Sequence, residues 1–306
     1  MKILIAGATG AIGQPLMQIL EQHSHQIYGI TQSKEHFPLI QNKGGKPVIL
    51  DVLDREAVLS ALEAIQPDIV IDMLTRLPKE YTPQAMRDAA AMDARIRTEG
   101  GANLQEAAEK NGVRRYILQS SGFWYAPGTG LADENTPFAF QATPGIASGT
   151  KVYAALENRV MQTKQIEGVA LRFGFYGPGT WFYPSGNMGH QVKMQQFPII
   201  GSGEGVWNFV HIEDAAQAIV SALDCKPGIY NIINDQPSKM NDWLPAFANS
   251  IQAPKPPIIS EDEGLKLRGP DSVYYATKLR AASNAKAKRE LNFKPRSFEW
   301  LMSGLV

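Results

Sequence analysis

The chain is 306 residues long, 44% hydrophobic and 20% charged, the balance of a folded globular protein rather than a disordered or fibrous one. Its 30 Lys and Arg match its 30 Asp and Glu, so the net charge is zero, which argues against a basic nucleic-acid binder. One cysteine, Cys225, excludes an intrachain disulfide, and no apolar run reaches the about 18 residues that a membrane span needs.

The first apolar run, residues 3–6, reads as a strand and not as a secretory signal. Gly7, Thr9, Gly10 and Gly13 interrupt it and no cleavage site follows, so a cytoplasmic protein with no membrane partner is expected. Further short apolar or β-branched runs lie at residues 26–30, 47–50, 69–73, 116–119 and 168–172. Between them, residues 15–21, 55–64 and 97–110 carry helical patterns. That alternation predicts an α/β fold, a parallel sheet with helices on both faces. Gly and Pro then crowd residues 174–205. Residues 209–212 and 229–233 flank a helix at 214–223, and the last sixty-odd residues look mainly helical and loop-rich. We expect residues 1–172 plus about 205–230 to form the sheet domain. A smaller substrate-side domain would take about 173–204 plus 231–306.

The sharpest motif is Gly7-Ala8-Thr9-Gly10-Ala11-Ile12-Gly13, which follows a strand and opens a helix. Gly7 permits a tight turn, Gly10 lets the backbone approach a pyrophosphate, and Gly13 lets the helix pack closely on the sheet. The helix start then favours the phosphates of a dinucleotide. Other stretches follow in order: Asp51-Val52 after the third strand, Gly112-Val113-Arg114-Arg115-Tyr116 leading to Gln119-Ser120-Ser121, Tyr176-Gly177-Pro178-Gly179, Phe209-Val210-His211-Ile212-Glu213-Asp214-Ala215-Ala216, Gly228-Ile229-Tyr230-Asn231-Ile232, and Ser283 to Leu291. Taken together they resemble the short-chain dehydrogenase/reductase superfamily, in its extended epimerase/dehydratase-like branch, over essentially the whole chain.

The resemblance implies a Rossmann-type doubly wound sheet and a nicotinamide cofactor. It would be held by Gly7, Thr9, Gly10, Ala11, Ile12 and Gly13, with Asp51, Val52, Met73, Leu74, Lys151 and Phe173 along the same edge. The second strand ends in Thr31-Gln32-Ser33-Lys34, with no acid until Glu35. An NAD site usually carries Asp or Glu here to grip the ribose, so NADP is expected, with NAD as the alternative. The family's catalytic set is a Ser, and a Tyr four residues before a Lys. Ser121 and Lys151 fit it, but Ala147 stands where the Tyr should be, and Arg97 stands where many relatives carry Asn. Tyr125 and Tyr176 are the substitutes that should lie near the site. Tyr153 is expected to point elsewhere and to pack beside Leu156. Lys151 could itself be the acid, since a lysine pKa falls readily on burial.

Other residues read as structural. His211 is expected to be a satisfied histidine, Asp214 to serve a helix start, and Arg95 and Arg97 to pair with Glu99, with binding of an anionic substrate as the alternative for that pair. His23, His25, His36 and His190 lack metal-ligand spacing, so no metal is expected. Trp181, Phe182 and Tyr183 fit either a substrate lid or an inter-domain plug. The function implied is hydride transfer on a small organic substrate, as oxidoreductase, epimerase or dehydratase, with a homodimer through two sheet-flanking helices. A nucleotide-bound sensor without turnover is the alternative that the missing Tyr leaves open.

Overall fold

The alternating apolar runs all enter one parallel sheet. In the computed structural model, which describes residues 1–302, its strands are β1 (Lys2–Ala6), β2 (Gln26–Thr31), β3 (Gly45–Ile49), β4 (Ile69–Asp72), β5 (Arg115–Ser121) and β6 (Glu167–Phe173). The two-residue strands β7 (Phe175–Tyr176), β8 (Ile199–Ile200), β9 (Val206–Trp207) and β10 (Val210–His211) follow, and β11 (Gly228–Ile232) completes the sheet. The order is β11-β6-β5-β4-β1-β2-β3, parallel throughout. The chain runs outward in one direction through β2 and β3 and in the other from β4. The crevice between β1 and β4 is therefore the switch point at which such sheets bind ligands.

Both faces are covered because both are apolar. Ile3 and Ile5 of β1 join one core with Leu16 and Leu20 of α1 (Gly13–Gln22), whereas Leu4 and Ala6 join the other. After α2 (Phe37–Asn42), that second core takes Val58 and Leu62 of α3 (Arg55–Ile65). Asp54 caps α3 by accepting from the Ala57 amide at 3.1 Å. A period of two along a strand with both phases buried is the mark of a sheet sandwiched between helices.

The helix before β5 departs from the sequence pattern. It was expected to begin at residue 97. Instead α4 (Pro83–Arg95) precedes it, a π-helical turn covers Ile96–Gly100, and α5 (Gly101–Lys110) continues. No residue of α4 is buried, so it carries no core-facing stripe for a periodicity reading to find. Beyond β5 comes the long α6 (Pro144–Gln162), with proline at its first turn.

The remaining elements are α7 (Asn187–Lys193), α8 (Ile212–Ser221), α9 (Met240–Ser250), α10 (Glu261–Arg268), α11 (Pro270–Thr277), α12 (Ala285–Leu291) and α13 (Glu299–Met302), with the two-residue strands β12 (Ser238–Lys239) and β13 (Ile258–Ile259). The expected 205–230 return segment is only partly in the sheet. β11 belongs to it, but β10 pairs with β7, and β9 with Ser238–Lys239. Segments from 139 to 301 build a separate aromatic core around Trp207, Phe209, Trp243 and Phe298. The expected substrate-side segment 231–306 ends in four residues, 303–306, that lie outside those described.

Candidate active site

At the switch point the glycine loop is shaped by side chains that are missing. Gly7 sits at φ +92°, and a Cβ there would lie 2.6 Å from the Met73 carbonyl oxygen. At Gly13 a Cβ would meet the carbonyl oxygens of Gly7 at 2.4 Å and Ala8 at 2.6 Å. A Cβ on Gly10 meets only the Gly7 oxygen, at 3.2 Å, so the space above the loop stays open. The α1 start has no side-chain cap and no acid in its first turn, which leaves its amides for an anion. The Gly177-Pro178-Gly179 turn comes back over the loop, with the Gly179 Cβ position 3.8 Å from the Ala11 Cβ. These features fit a dinucleotide pyrophosphate.

The adenine-side residues divide. Thr31 is buried, and its hydroxyl is held by the Ser33 carbonyl oxygen at 3.2 Å and the His36 ring at 3.0 Å. Ser33 caps the short turn Lys34–His36 by accepting from the Glu35 amide at 3.2 Å. Gln32 and Lys34 are exposed, and Gln32 donates to Asp51 at 3.2 Å. On the sheet side Val52 and Met73 are buried, and the Leu74 amide is fixed by Asp72 at 3.1 Å.

Beyond the carboxyl ends of β5 and β6 opens a cavity of about 580 Å³. Ser121 and Phe173 line it from the sheet. From α6 it receives Gly145, Gly149, Val152 and Tyr153, a stripe at helical spacing. Gly149 is needed because the Trp124 ring lies where its side chain would be: a Cβ would come within 2.6 Å of it. Trp124 is edge-on to Tyr153 at 5.4 Å and donates to the Tyr275 hydroxyl at 2.6 Å. The π-helical turn brings Arg97 into the same wall. An extra residue in a helical turn re-aims its side chains, a common device at functional sites. Arg97 is 4% exposed, donates to Asp93 at 2.8 Å, and holds its guanidinium 5.1 Å from the Tyr153 ring centre. Burial pushes the Tyr153 phenol up, and the Arg97 charge opposes this. Across the cavity, burial pushes Tyr81 up to about 12. These phenols are therefore protonated donors at neutral pH.

The expected catalytic residues are sorted by this geometry. Ser121 reaches the cavity. Lys151 does not: it is exposed, about 200° round the helix from both Gly149 and Tyr153. Tyr153, expected to point elsewhere and to pack beside Leu156, does pack against the core that holds Leu156, but it also lines the cavity. Tyr125 lies outside the cavity, its hydroxyl on Asn231 and the Arg172 guanidinium 5.4 Å from its ring. Tyr176 is buried in the aromatic core, 5.9 Å from Phe209 and 5.3 Å from Phe298. Arg97 pairs with Asp93, and only Arg95 pairs with Glu99, at 2.7 Å. His211 has the structural role expected, its imidazole accepting from the Glu213 amide at 3.2 Å to cap α8. Asp214 sits in that first turn and holds Arg296 at 3.1 Å. Trp181 and Phe182 form cavity wall, with Trp181 tied to the Pro78 carbonyl at 2.9 Å. The spacing of Gly149 and Tyr153, four apart on the face opposite Lys151, was the available signal for the residue that sequence reasoning misplaced.

Comparison with known proteins identifies the family and the fold. The model of the family described as "NAD dependent epimerase/dehydratase family" matches residues 3–232. A 3-diazoavenalumate denitrifying reductase from Streptomyces sp. is 36% identical over 306 residues, covering 98% of each chain. A 2-alkyl-3-oxoalkanoate reductase from Stenotrophomonas maltophilia is 24% identical over 271 residues, 83% of this chain and 77% of that one. Among solved structures, UDP-glucose 4-epimerase from Thermus thermophilus in complex with NAD superposes with a TM-score of 0.71 at 21% identity, covering 100% of both chains. No helix among the described residues is long and apolar enough to cross a membrane.

Proposed function

The chain belongs to the NAD dependent epimerase/dehydratase family, in the extended short-chain dehydrogenase/reductase superfamily, and on that premise we propose that it is an NADPH-dependent reductase of a small aromatic molecule. The observation that carries this reading is a single sheet edge. The glycine loop after β1 and the aromatic cavity beyond β5 and β6 open at the same carboxyl edge of parallel strands. The full-length likeness to a protein named as a reductase favours reduction over epimerisation.

In this reading Gly7 to Gly13 and the α1 amides hold the pyrophosphate, and Met73, Leu74 and Phe173 border the cofactor. Gln32, which would give up its bond to Asp51, and the exposed Lys34 take the 2′-phosphate; NAD is the alternative. The nicotinamide, when bound, supplies the hydride. Ser121 orients the polar atom of the substrate. The Tyr153 hydroxyl gives its proton to the atom that gains the electron pair, and the Arg97 guanidinium over its ring offsets the developing phenolate charge. Asp93 holds Arg97 in place. The aromatic wall keeps bulk water from the reacting atoms. Residues 1–172 with about 205–230 would serve the cofactor in the cytoplasm, and the remaining segments the substrate.

The test is oxidation of NADPH followed at 340 nm across a panel of aromatic carbonyl, enone and diazo compounds. Turnover with at least one class supports the reading. Saturable NADPH binding with no turnover across the panel would favour the sensor reading, which the absence of the family's Tyr-Lys pair motivates.

A further inference from the structure

The cavity has a second, half-buried cation, and it has no carboxylate partner among the described residues. Arg268 closes α10 on the substrate side, just before Gly269 turns the chain at φ +81° into α11. Its guanidinium lies 5.0 Å from the centre of the Phe197 ring and donates to the Gln196 carbonyl oxygen at 2.9 Å. Among the described residues it forms no ion pair, in contrast to Arg97 with Asp93. Burial lowers its pKa, and Tyr81 is the group that opposes this. The acid on the same wall, Asp271, is already engaged by the Thr143 hydroxyl and by the Gly145 amide at 3.2 Å. Arg87, also on the wall, is exposed and bonded to Gln84.

A guanidinium carries five donors in a planar fork that matches a carboxylate, and desolvation without a counter-ion makes an incoming anion more valuable. Beside this fork the rings are close together. Tyr81 lies 4.9 Å from Trp181, 5.1 Å from Phe182 and 6.3 Å from Phe197. They offer apolar faces to a flat molecule. Arg268 is the one half-buried wall arginine without an ion pair among the described residues, which suits a monoanion, whereas a diphosphate would call for more donors. We propose that Arg268 anchors the carboxylate of a planar aromatic acid, with the ring against Tyr81, Trp181 and Phe197 and the reacting atoms toward Ser121 and Tyr153. This assignment rests on the reductase reading for what happens to the bound acid, but not for its binding.

The experiment titrates the protein, with and without NADPH, with naphthalene-2-carboxylate and with the neutral naphthalene-2-carboxamide. The carboxylate should bind at least about 10-fold more tightly. Arg268→Gln should weaken the carboxylate by about 10- to 100-fold and leave the amide and NADPH within about 2-fold, and Arg268→Lys should recover part of the loss. Equal binding of acid and amide, no binding of either by about 5 mM, or an unchanged ratio in Arg268→Gln would overturn the proposal. Should Arg268→Gln fail to fold, the wild-type ratio and Arg268→Lys decide. Failure of NADPH to bind would count against the reductase reading alone, because the carboxylate preference is also read without it.

Discussion

The glycine loop and the aromatic cavity share one sheet edge and are specified in opposite ways. The loop is seven consecutive residues whose shape depends on what they lack: Gly7 and Gly13 leave no room for even a Cβ against neighbouring carbonyl oxygens. The cavity depends on what its residues carry, and these come from many separate segments: Arg97 from a π-helical turn, Tyr153 from α6, Trp181 and Phe197 from loops, Arg268 from α10. A site made of backbone tolerates almost no substitution but serves any ligand with the right phosphates. A site made of side chains can be re-cut one residue at a time, which is how a common cofactor fold acquires a particular substrate.

The widest difference should come from the loop. Gly13→Val forces a side chain into the Gly7 carbonyl, 2.4 Å from the Cβ position, and should abolish NADPH binding, by more than about 100-fold, with a lower melting temperature. Retained binding would show that the loop is not held by close approach. Next comes Tyr153→Phe, which should cut kcat by about 100-fold or more with cofactor affinity within about 3-fold, while Lys151→Ala stays within about 3-fold on both. The reverse ranking would restore Lys151 as the acid. Since burial holds the Tyr153 phenol above its ordinary value near 10, kcat should also stay level from pH 7 to about 9.

A smaller effect is expected at Gly149→Ala, where the added methyl must displace the Trp124 ring 2.6 Å away. It should raise KM by about 3- to 10-fold with kcat less affected, as a change in wall shape rather than chemistry. The smallest concerns stability outside both sites. Burial, and then Arg296, lower the His211 pKa below 6.5 in the folded protein. The unfolded chain therefore binds this proton more readily, so the contribution is full above about pH 6.5 and is lost as pH falls through the lower folded value. Urea midpoints at pH 7 and pH 5 should show that loss, and His211→Asn, which keeps a capping acceptor, should reduce it.

The same contrast governs how much could be read from the sequence. Strands β1 to β6 were found within two residues because each carries a short apolar or β-branched run, buried on both faces in all but the edge strand β3 and the start of β2, and the loop was found because glycine spacing is a local property. α4 was missed because it turns no residue into a core. Lys151 was chosen because it fits the family's lysine position, and only the helical face that also carries Gly149 shows that Tyr153 is the inward side chain. Tyr125 and Tyr176 were placed by proximity in sequence to Ser121 and to the glycine turn, yet their rings pack away from the cavity. Arg97 could not have been placed, since the π-helical turn that aims it leaves no periodic trace. Arg268 stands far along the chain from its aromatic neighbours Tyr81 and Phe197, so tertiary packing alone brings them together.

The most direct test of the central claim is titration of the purified protein with NADPH and with NADH, followed by quenching of its tryptophans, three of which (Trp124, Trp181 and Trp207) line the cavity, and checked by calorimetry. The account predicts saturable binding of one cofactor per chain, with NADPH about 10-fold tighter than NADH. A preference for NADH would remove the role given to Gln32 and Lys34 while leaving the glycine loop standing, and binding of neither would contradict the account.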